Sequence, residues 1–570
     1  MKKHIVACAA PAAAQRAIIT PTAALAMAFA FALAPPHACE AHPLARASAP
    51  ARDAWVPALP DGRYRNPVLN ADYSDPDVIR HGDMYYMTSS SFNSAPGLPL
   101  LQSRDMVNWK LVGHALAQQV PLDVFATPQH GKGVWAPCLR FHDGKFWIFY
   151  PDPDFGIYVM TAGKFTGPWT APHLLLAGKG IIDPTPLWDD DGQAYLLHAW
   201  AKSRAGISNL LTLRRMSPDA TTMLDTDGKT VIDGNVLPNY RTLEGPKFYK
   251  HHGYYYVFAP AGGVETGWQS VFRSRSIGGP YEDKIVMDQG STPTNGPHQG
   301  AWVQAGDGAD WFMHFQDKRA YGRVVHLQPM KWKNDWPVIG EEKGDTGVGQ
   351  PVLQYRNPVA GKRARIVPPT SDEFALPTLG LQWQWNANWD ARWYSLTASK
   401  GALRLFTQHD PLLQANQNLW ATPSILLQKL PAESFTVDTK LRVHAGAEGD
   451  RSALVLYGLN YAWLGVQRTD GKLQLTYATC TKADANCKEK VIAAIDVKRP
   501  EVALRMVMKP GAVATFSYSL DGKHYASIGE PFTASMGRWV GAQMGLFSVG
   551  PNSTLNGSNY MDVDYFRVTP

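Results

Sequence analysis

Tyr73-Ser74-Asp75-Pro76-Asp77-Val78-Ile79-Arg80, followed by Gly82-Asp83-Met84-Tyr85-Tyr86-Met87, is the stretch of this 570-residue chain that decides its fold. It runs from a polar, Pro-marked start through a few strand residues and a Gly turn into an aromatic strand. Four later segments repeat that order. They begin at Val134-Trp135-Ala136-Pro137, Ile182-Asp183-Pro184, Leu243-Glu244-Gly245-Pro246 and, more weakly, His298-Gln299-Gly300-Ala301-Trp302. The markers Pro76, Pro137, Pro184, Pro246 and Ala301 lie 61, 47, 62 and 55 residues apart. In an all-β pattern, that period predicts the blades of a five-bladed propeller rather than stacked helices. The first strand of each blade lines the central axis, so the starts of these strands converge at one end. Asp75, Asp183, Glu244 and His298 are thereby gathered there, with Trp135 among them. A single Asp-Pro pair is ordinarily a turn initiator. Its recurrence at one place in successive blades points instead to a funnel of carboxylates and an aromatic ring, the constellation used in sugar hydrolysis.

The rest of the composition agrees. The formal charge of +6 is small for the length. Lys2, Lys3 and Arg16 against Glu40 account for +2 of it, leaving +4 beyond residue 41, which argues against a nucleic-acid partner. Nineteen Trp and 11% aromatic residues favour a surface that stacks on flat, partly apolar faces such as sugar rings. Residues 1–41 read as an export signal: a basic start, an apolar run from Ala23 to Ala34 too short to span a bilayer, then small residues near Cys39-Glu40-Ala41. Lipid attachment at Cys39 is the weaker alternative, because Pro36-His37-Ala38 lacks the usual preceding pattern. The expectation is therefore an exported, periplasmic or secreted protein with no transmembrane segment in its mature chain. Beyond the signal only Cys138, Cys480 and Cys487 remain. Cys138 reads as a buried thiol; Cys480 and Cys487 flank a hairpin-like loop and could close a small disulfide. None of the cysteines has zinc or redox spacing.

Residues 62–345 alternate strands with turn signals such as Asp143-Gly144 and Asp191-Gly192 and form the expected propeller. Asp152-Pro153-Asp154 and Asp189-Asp190-Asp191 lack the twelve-residue loop of a calcium site and read as tight turns. Residues 346–365 lose the strand pattern and read as a surface linker. From 366 to 570 period-two strands resume without the 55-residue repeat, among them Phe435–Val443, Lys472–Tyr477 and Asp562–Val568, which suggests a β-sandwich, a concanavalin-like jelly roll.

With Asn66-Pro67-Val68-Leu69, Asp105 to Trp109 and Gly322-Arg323 to Pro329 added to these repeats, residues 64 to 345 resemble the propeller of glycoside hydrolase family 43. Leu379 to Trp385 and Gly465-Val466 resemble the sandwich that accompanies its β-xylosidase and α-L-arabinofuranosidase members. The resemblance implies Asp75 as general base, Glu244 as general acid and Asp183 as the carboxylate that tunes and orients the acid. It also implies Arg323 as a cation in the site that touches sugar hydroxyls. Trp135 and Phe92 would wall the pocket, although a core role suits Phe92 as well. His298 is where a family calcium or a water network would meet the chain; no cofactor is required, and a structural calcium is the one metal to test.

The expected activity is exo-acting, inverting release of terminal β-1,4-xylosyl or α-L-arabinofuranosyl units from hemicellulose oligosaccharides. An endo-arabinanase, a retaining furanosidase or a non-catalytic sugar-binding propeller are the alternatives. Three converging acids weigh against the last, since their mutual repulsion costs binding energy.

Overall fold

The computed structural model describes residues 53–361, 364–411, 413, 417–551 and 558–570, so the signal segment at 1–41 lies outside the described residues. Five sheets form the blades: four are four-stranded and antiparallel, and the fourth blade adds two short later strands to its own four. They span Asp77–Leu116, Cys138–Ala177, Ile181–Asp233, Lys247–Met287 and His298–Ile339. The first hairpins turn on the residues the sequence supplied for that purpose. Asp143 and Gly144 both have positive φ (47° and 71°), as do His252 and Gly253 (47° and 73°), the requirement of a two-residue turn that follows strand twist.

What holds the ring is apolar packing between neighbouring blades. Leu100 meets Ile148 and Met160 between blades one and two, and Phe149 meets Leu196 between two and three. Leu197 and Leu211 meet Val257 between three and four, and Phe258 meets Phe312 between four and five. The circle closes where Met87 and Trp109 of blade one meet Met313 and Leu327 of blade five. Each such side chain, fully buried, contributes about 1.5–3 kcal/mol. Polar stitching completes the closure: the Asn66 side chain donates to the carbonyls of Leu327 and Val352 and accepts from Leu327 N–H, and Leu69 exchanges backbone bonds with Val325.

Residues 346–365 are more structured than their composition suggests. Gly349 pairs in parallel with Met287, and Gln354–Arg356 pair with Arg63–Arg65, so the segment extends blade four and ties down the start of the propeller. Two- and three-residue strands are too short to leave a periodic signature.

Beyond it, strands form an eight-stranded and a seven-stranded sheet that face each other. Phe435–His444 alternates buried and less buried residues along its length, as a half-buried strand should. Arg451–Tyr457 does not, because its sheet is covered on both faces. Leu454 and Leu456 join the core between the sheets, whereas Ala453, Val455 and Tyr457 pack with Leu419, Trp463 and Phe547 on the opposite face. The sandwich is fastened to the propeller by paired backbone bonds between Ala95 and Trp385 and by Asn388, which accepts from Gln119 N–H at 2.6 Å and donates to Gln119 O at 2.9 Å. Cys138, Cys480 and Cys487 are all free thiols. The expected small disulfide is absent: Cys480 Sγ is directed at the backbone carbonyl of Cys487, at 3.2 Å, rather than at its sulfur.

Candidate active site

In blades one, three, four and five the first strand is entered through a distorted residue. Asp75, Asp183, Gly245 and Gln299 all have positive φ (54°, 55°, 61° and 30°), the left-handed turn that aims a side chain or backbone N–H into the funnel. Strand register slips at Ile182/Thr185 and at His298/Gly300, so Asp183 and Gln299 each sit on a bulge. A side chain at position 245 would collide with Gln299 Cγ at 2.2 Å, which is why the acid of blade four is carried by the preceding residue, Glu244.

These side chains line one pocket of about 400 Å³, with Asp75, Asp183, Glu244 and Gln299 below, Phe92, Trp135 and Arg323 on the walls, Lys202 and Ser203 at one side, and Trp539 across it. Its carboxylates stand in unlike environments. Asp75 accepts a 2.5 Å hydrogen bond from Ser90 Oγ and lies 3.4 Å from Arg323 Nη1. Its pKa is raised, by burial first and also by the charge of Asp72, with Arg323, Ser90 and then Lys247 opposing the rise in part. Asp183 accepts from Gly245 N–H at 2.8 Å. Burial, opposed by that bond and reinforced by the charge of Asp75, lifts it to about 7. Glu244 is pushed furthest, up to about 8, by burial first and then by the charges of Asp183 and Asp75. Its side chain is 28% exposed, toward the pocket.

Beneath the carboxylates, Asp77 is fully buried between Arg140 (3.0 Å) and Lys247 (3.6 Å) and also accepts from Leu139 N–H. That network fixes Lys247 under the site. Removing one partner of such a buried set would leave a charge uncompensated, at a cost of roughly 3–5 kcal/mol.

His298, which the sequence reading gathered into the funnel with the carboxylates as a possible substrate-binding residue, does not line the pocket. Its side chain is 1% exposed and sits one layer below, with Nε2 3.6 Å from Glu244 Oε1. Burial and the charge of Arg323 lower its pKa to about 3, so the ring is neutral, and neither ring nitrogen has a protein hydrogen-bond partner. A neutral imidazole is a single soft donor, whereas calcium takes six to eight oxygens. Among the described residues no group of three or more His, Cys, Asp or Glu is arranged to hold a metal ion. This donor set does not build a calcium cage, and the chemistry below uses none.

Phe92 serves both of its readings, being 3% exposed, held by backbone bonds to Val134, and yet part of the pocket wall. Trp135 donates from Nε1 to Gly131 O at 3.0 Å, which fixes its ring. Two participants escaped the sequence. Gln299 hydrogen-bonds Asp183; the shared positive φ makes it, not His298, the blade-five counterpart of Asp75 and Asp183. Trp539, at the tip of a sandwich turn closed by Gly537 N–H to Val540 O, approaches Trp135 edge-on at 6.1 Å and stands over Arg323 at 5.7 Å.

Carboxylates from different blades facing one axial pocket, two of them lifted to neutral pH or above, are an arrangement that glycoside hydrolysis uses. Residues 64–337 match Glycosyl hydrolases family 43, and residues 371–569 match the Beta xylosidase C-terminal Concanavalin A-like domain. A beta-xylosidase of Formosa agariphila is 32% identical over 89% of this chain and 90% of its own. A non-reducing end alpha-L-arabinofuranosidase of Bacteroides ovatus is 28% identical over 89% of this chain and 95% of its own. The solved xylan beta-1,4-xylosidase of Bacillus halodurans shares the fold, with a TM-score of 0.78 at 24% identity over 89% of this chain and all of that one. This chain belongs to glycosyl hydrolase family 43.

Proposed function

We propose that the enzyme removes terminal pentoses, β-1,4-xylosyl or α-L-arabinofuranosyl, from the non-reducing ends of hemicellulose oligosaccharides, with inversion. The observation that carries the assignment of roles is the electrostatic asymmetry of the pocket. Asp75, held by Ser90 and Arg323, is the carboxylate kept ready as a base. Glu244, raised to about 8, is the one that keeps its proton at neutral pH. In the reaction Asp75 takes a proton from water while the oxygen attacks the anomeric carbon. Glu244 gives its proton to the departing glycosidic oxygen. Asp183, through its charge, holds Glu244 protonated until the bond breaks.

The exo reading is supported by Trp539, a sandwich residue that lines the same pocket and approaches Trp135 edge-on. An endo-acting arabinanase needs a cleft that admits chain on both sides of the cut. The names borne by the Formosa and Bacteroides relatives support both pentoses, and the aromatic walls suit either. Export is supported by the sequence of residues 1–41, and no helix among the described residues is long and apolar enough to cross a membrane.

The test of the roles is kcat/KM against leaving-group pKa. Glu244→Ala should cost about 10²- to 10⁴-fold on xylobiose, whose leaving alcohol needs the proton, and far less on aryl glycosides with acidic phenols. The slope should be steeper than in wild type. Parallel lines would remove Glu244 as the acid, and NMR detection of a retained anomer in the first product would replace the direct displacement by a covalent intermediate.

A further inference from the structure

Asp72 lies three residues before the proposed base, on the boundary between propeller and sandwich, and is 6% exposed. Its two carboxylate oxygens face different parts of the molecule. Oδ1 accepts from Ser74 Oγ at 3.1 Å and from the backbone N–H of Arg323 at 2.9 Å. Oδ2 accepts from the backbone N–H of Gly541 at 2.9 Å, two residues beyond Trp539. One side chain therefore touches the loop leading into Asp75, the residue that carries the guanidinium beside Asp75, and the sandwich turn that bears Trp539.

The fit around it admits no side chain. A Cβ on Gly322 would lie 2.4 Å from Asp72 Cγ, and a Cβ on Gly541 would lie 2.5 Å from Gly322 N. Ala542 N–H adds a 2.7 Å bond to Ala320 O on the same seam. Trp539 itself is held at φ +65°, a conformation that a bulky residue keeps only when its surroundings impose it.

We propose that Asp72 is a positioning residue that latches the Gly537–Ala542 turn to the catalytic face of the propeller, so that Trp539 is seated over Arg323 and the pentose pocket is complete. It touches no reacting atom. Its effect on sugar binding passes through the Trp539 turn, separately from its charge, which raises the pKa of Asp75; the sugar-binding part of the idea rests on the pentosidase reading above.

Asp72→Asn is isosteric but replaces one acceptor oxygen by an NH₂ group, which would then face either Gly541 N–H or the Arg323 side of the seam. Gly541→Ala leaves Asp72 intact and pushes the turn away by bulk alone. Both are made in the full chain. In each, hydrogen exchange of the 537–542 segment should quicken about tenfold, as expected for loss of one buried hydrogen bond. KM for the aryl pentoside that wild type cleaves should rise by a similar factor, with kcat within about threefold. On a Trp539→Ala background, Asp72→Asn should add little to KM, because the residue it positions is gone.

Unchanged exchange, or an Asp72 effect that multiplies in full with that of Trp539→Ala, overturns the proposal. Should Asp72→Asn fail to fold, Asp72→Ser carries the same readouts, with Gly541→Ala as the comparison in which the turn moves while Asp72 stays. A wild-type enzyme that cleaves neither aryl pentoside would sink the substrate reading, while the exchange measurement would still decide the latch.

Discussion

The propeller builds its share of the site by repetition, the sandwich by a single turn. Asp75, Asp183 and Gln299 occupy equivalent distorted positions in blades one, three and five, and each is locked by its own bulge or turn and by a neighbour's hydrogen bond: Asp75 accepts from Ser90, Asp183 accepts from Gly245, and Gln299 donates to Asp183. Trp539 has no such counterpart. It reaches the pocket from another domain on the four residues Gly537 to Val540, held by a few backbone bonds across the seam. The difference separates two tasks. Placing charges within tenths of an ångström calls for rigid strands, whereas closing a pocket over a sugar needs only one well-aimed ring on a turn. Changes in the propeller should therefore strike the chemical step, and changes in the turn should strike binding.

The sharpest way to break that division is Asp75→Ala. Without a base the water is unactivated whatever the leaving group, so kcat should fall about 10²- to 10⁴-fold on xylobiose and on aryl pentosides alike. Near-wild-type turnover would detach the blade-one carboxylate from the reaction. The matching change in the turn, Trp539→Ala, should raise KM about tenfold or more through loss of a stacking face worth roughly 1–2 kcal/mol, and leave kcat for aryl substrates nearly intact. A loss confined to kcat would mean that Trp539 orients the reacting groups, and the contrast between the regions would fail.

What could be read in advance follows the same line. Asp75 and Asp183 were legible because Pro follows each at the same place in its blade, and Glu244 because Gly245-Pro246 repeats the mark one residue later. Gln299 was not, since blade five lacks the Pro and the bulge at 298–300 shifts the copy by a residue, so that His298 drew the attention. His298 and Gln299 are neighbours on a strand, and only the backbone angle at Gln299 decides which enters the funnel. Trp539 was out of reach for a different reason: a lone aromatic in a turn belongs to no period, and its role depends on packing between segments more than 200 residues apart. The 349–350 and 354–356 pairings were hidden in the same way, being too short to alternate. Phe92 could not be divided between core and pocket because it belongs to both.

Asp183→Asn tests the division within the propeller, since it should alter the acid without touching the base's own partners. Removing the second-largest influence on Glu244 lets it lose its proton at lower pH. The alkaline limb of kcat/KM, which reports the acid, should then move down by about one unit, while the acid limb set by Asp75 moves less. A fixed alkaline limb would leave Asp183 as no more than the acceptor for Gly245 N–H.

The smallest effect expected is on stability, and its sign is opposite to that of a structural carboxylate. Glu244 titrates near 4.5 in an unfolded chain and near 8 in the folded site, so the folded state holds its proton more tightly. By linkage, that group's contribution is most favourable below the unfolded value and is lost as pH rises toward the folded one. Glu244→Gln, which cannot ionise, escapes the loss. Its Tm should lie close to that of wild type near pH 4.5, rise above it by a few degrees as pH approaches 8, and stay at that offset beyond. Nothing comparable should follow from Trp539→Ala, whose Tm offset from wild type should not depend on pH over this range. A Glu244→Gln offset that is flat in pH would show that the pocket does not hold Glu244 protonated, and the acid would have to be sought in Asp183, the other carboxylate of the pocket that burial lifts to about 7.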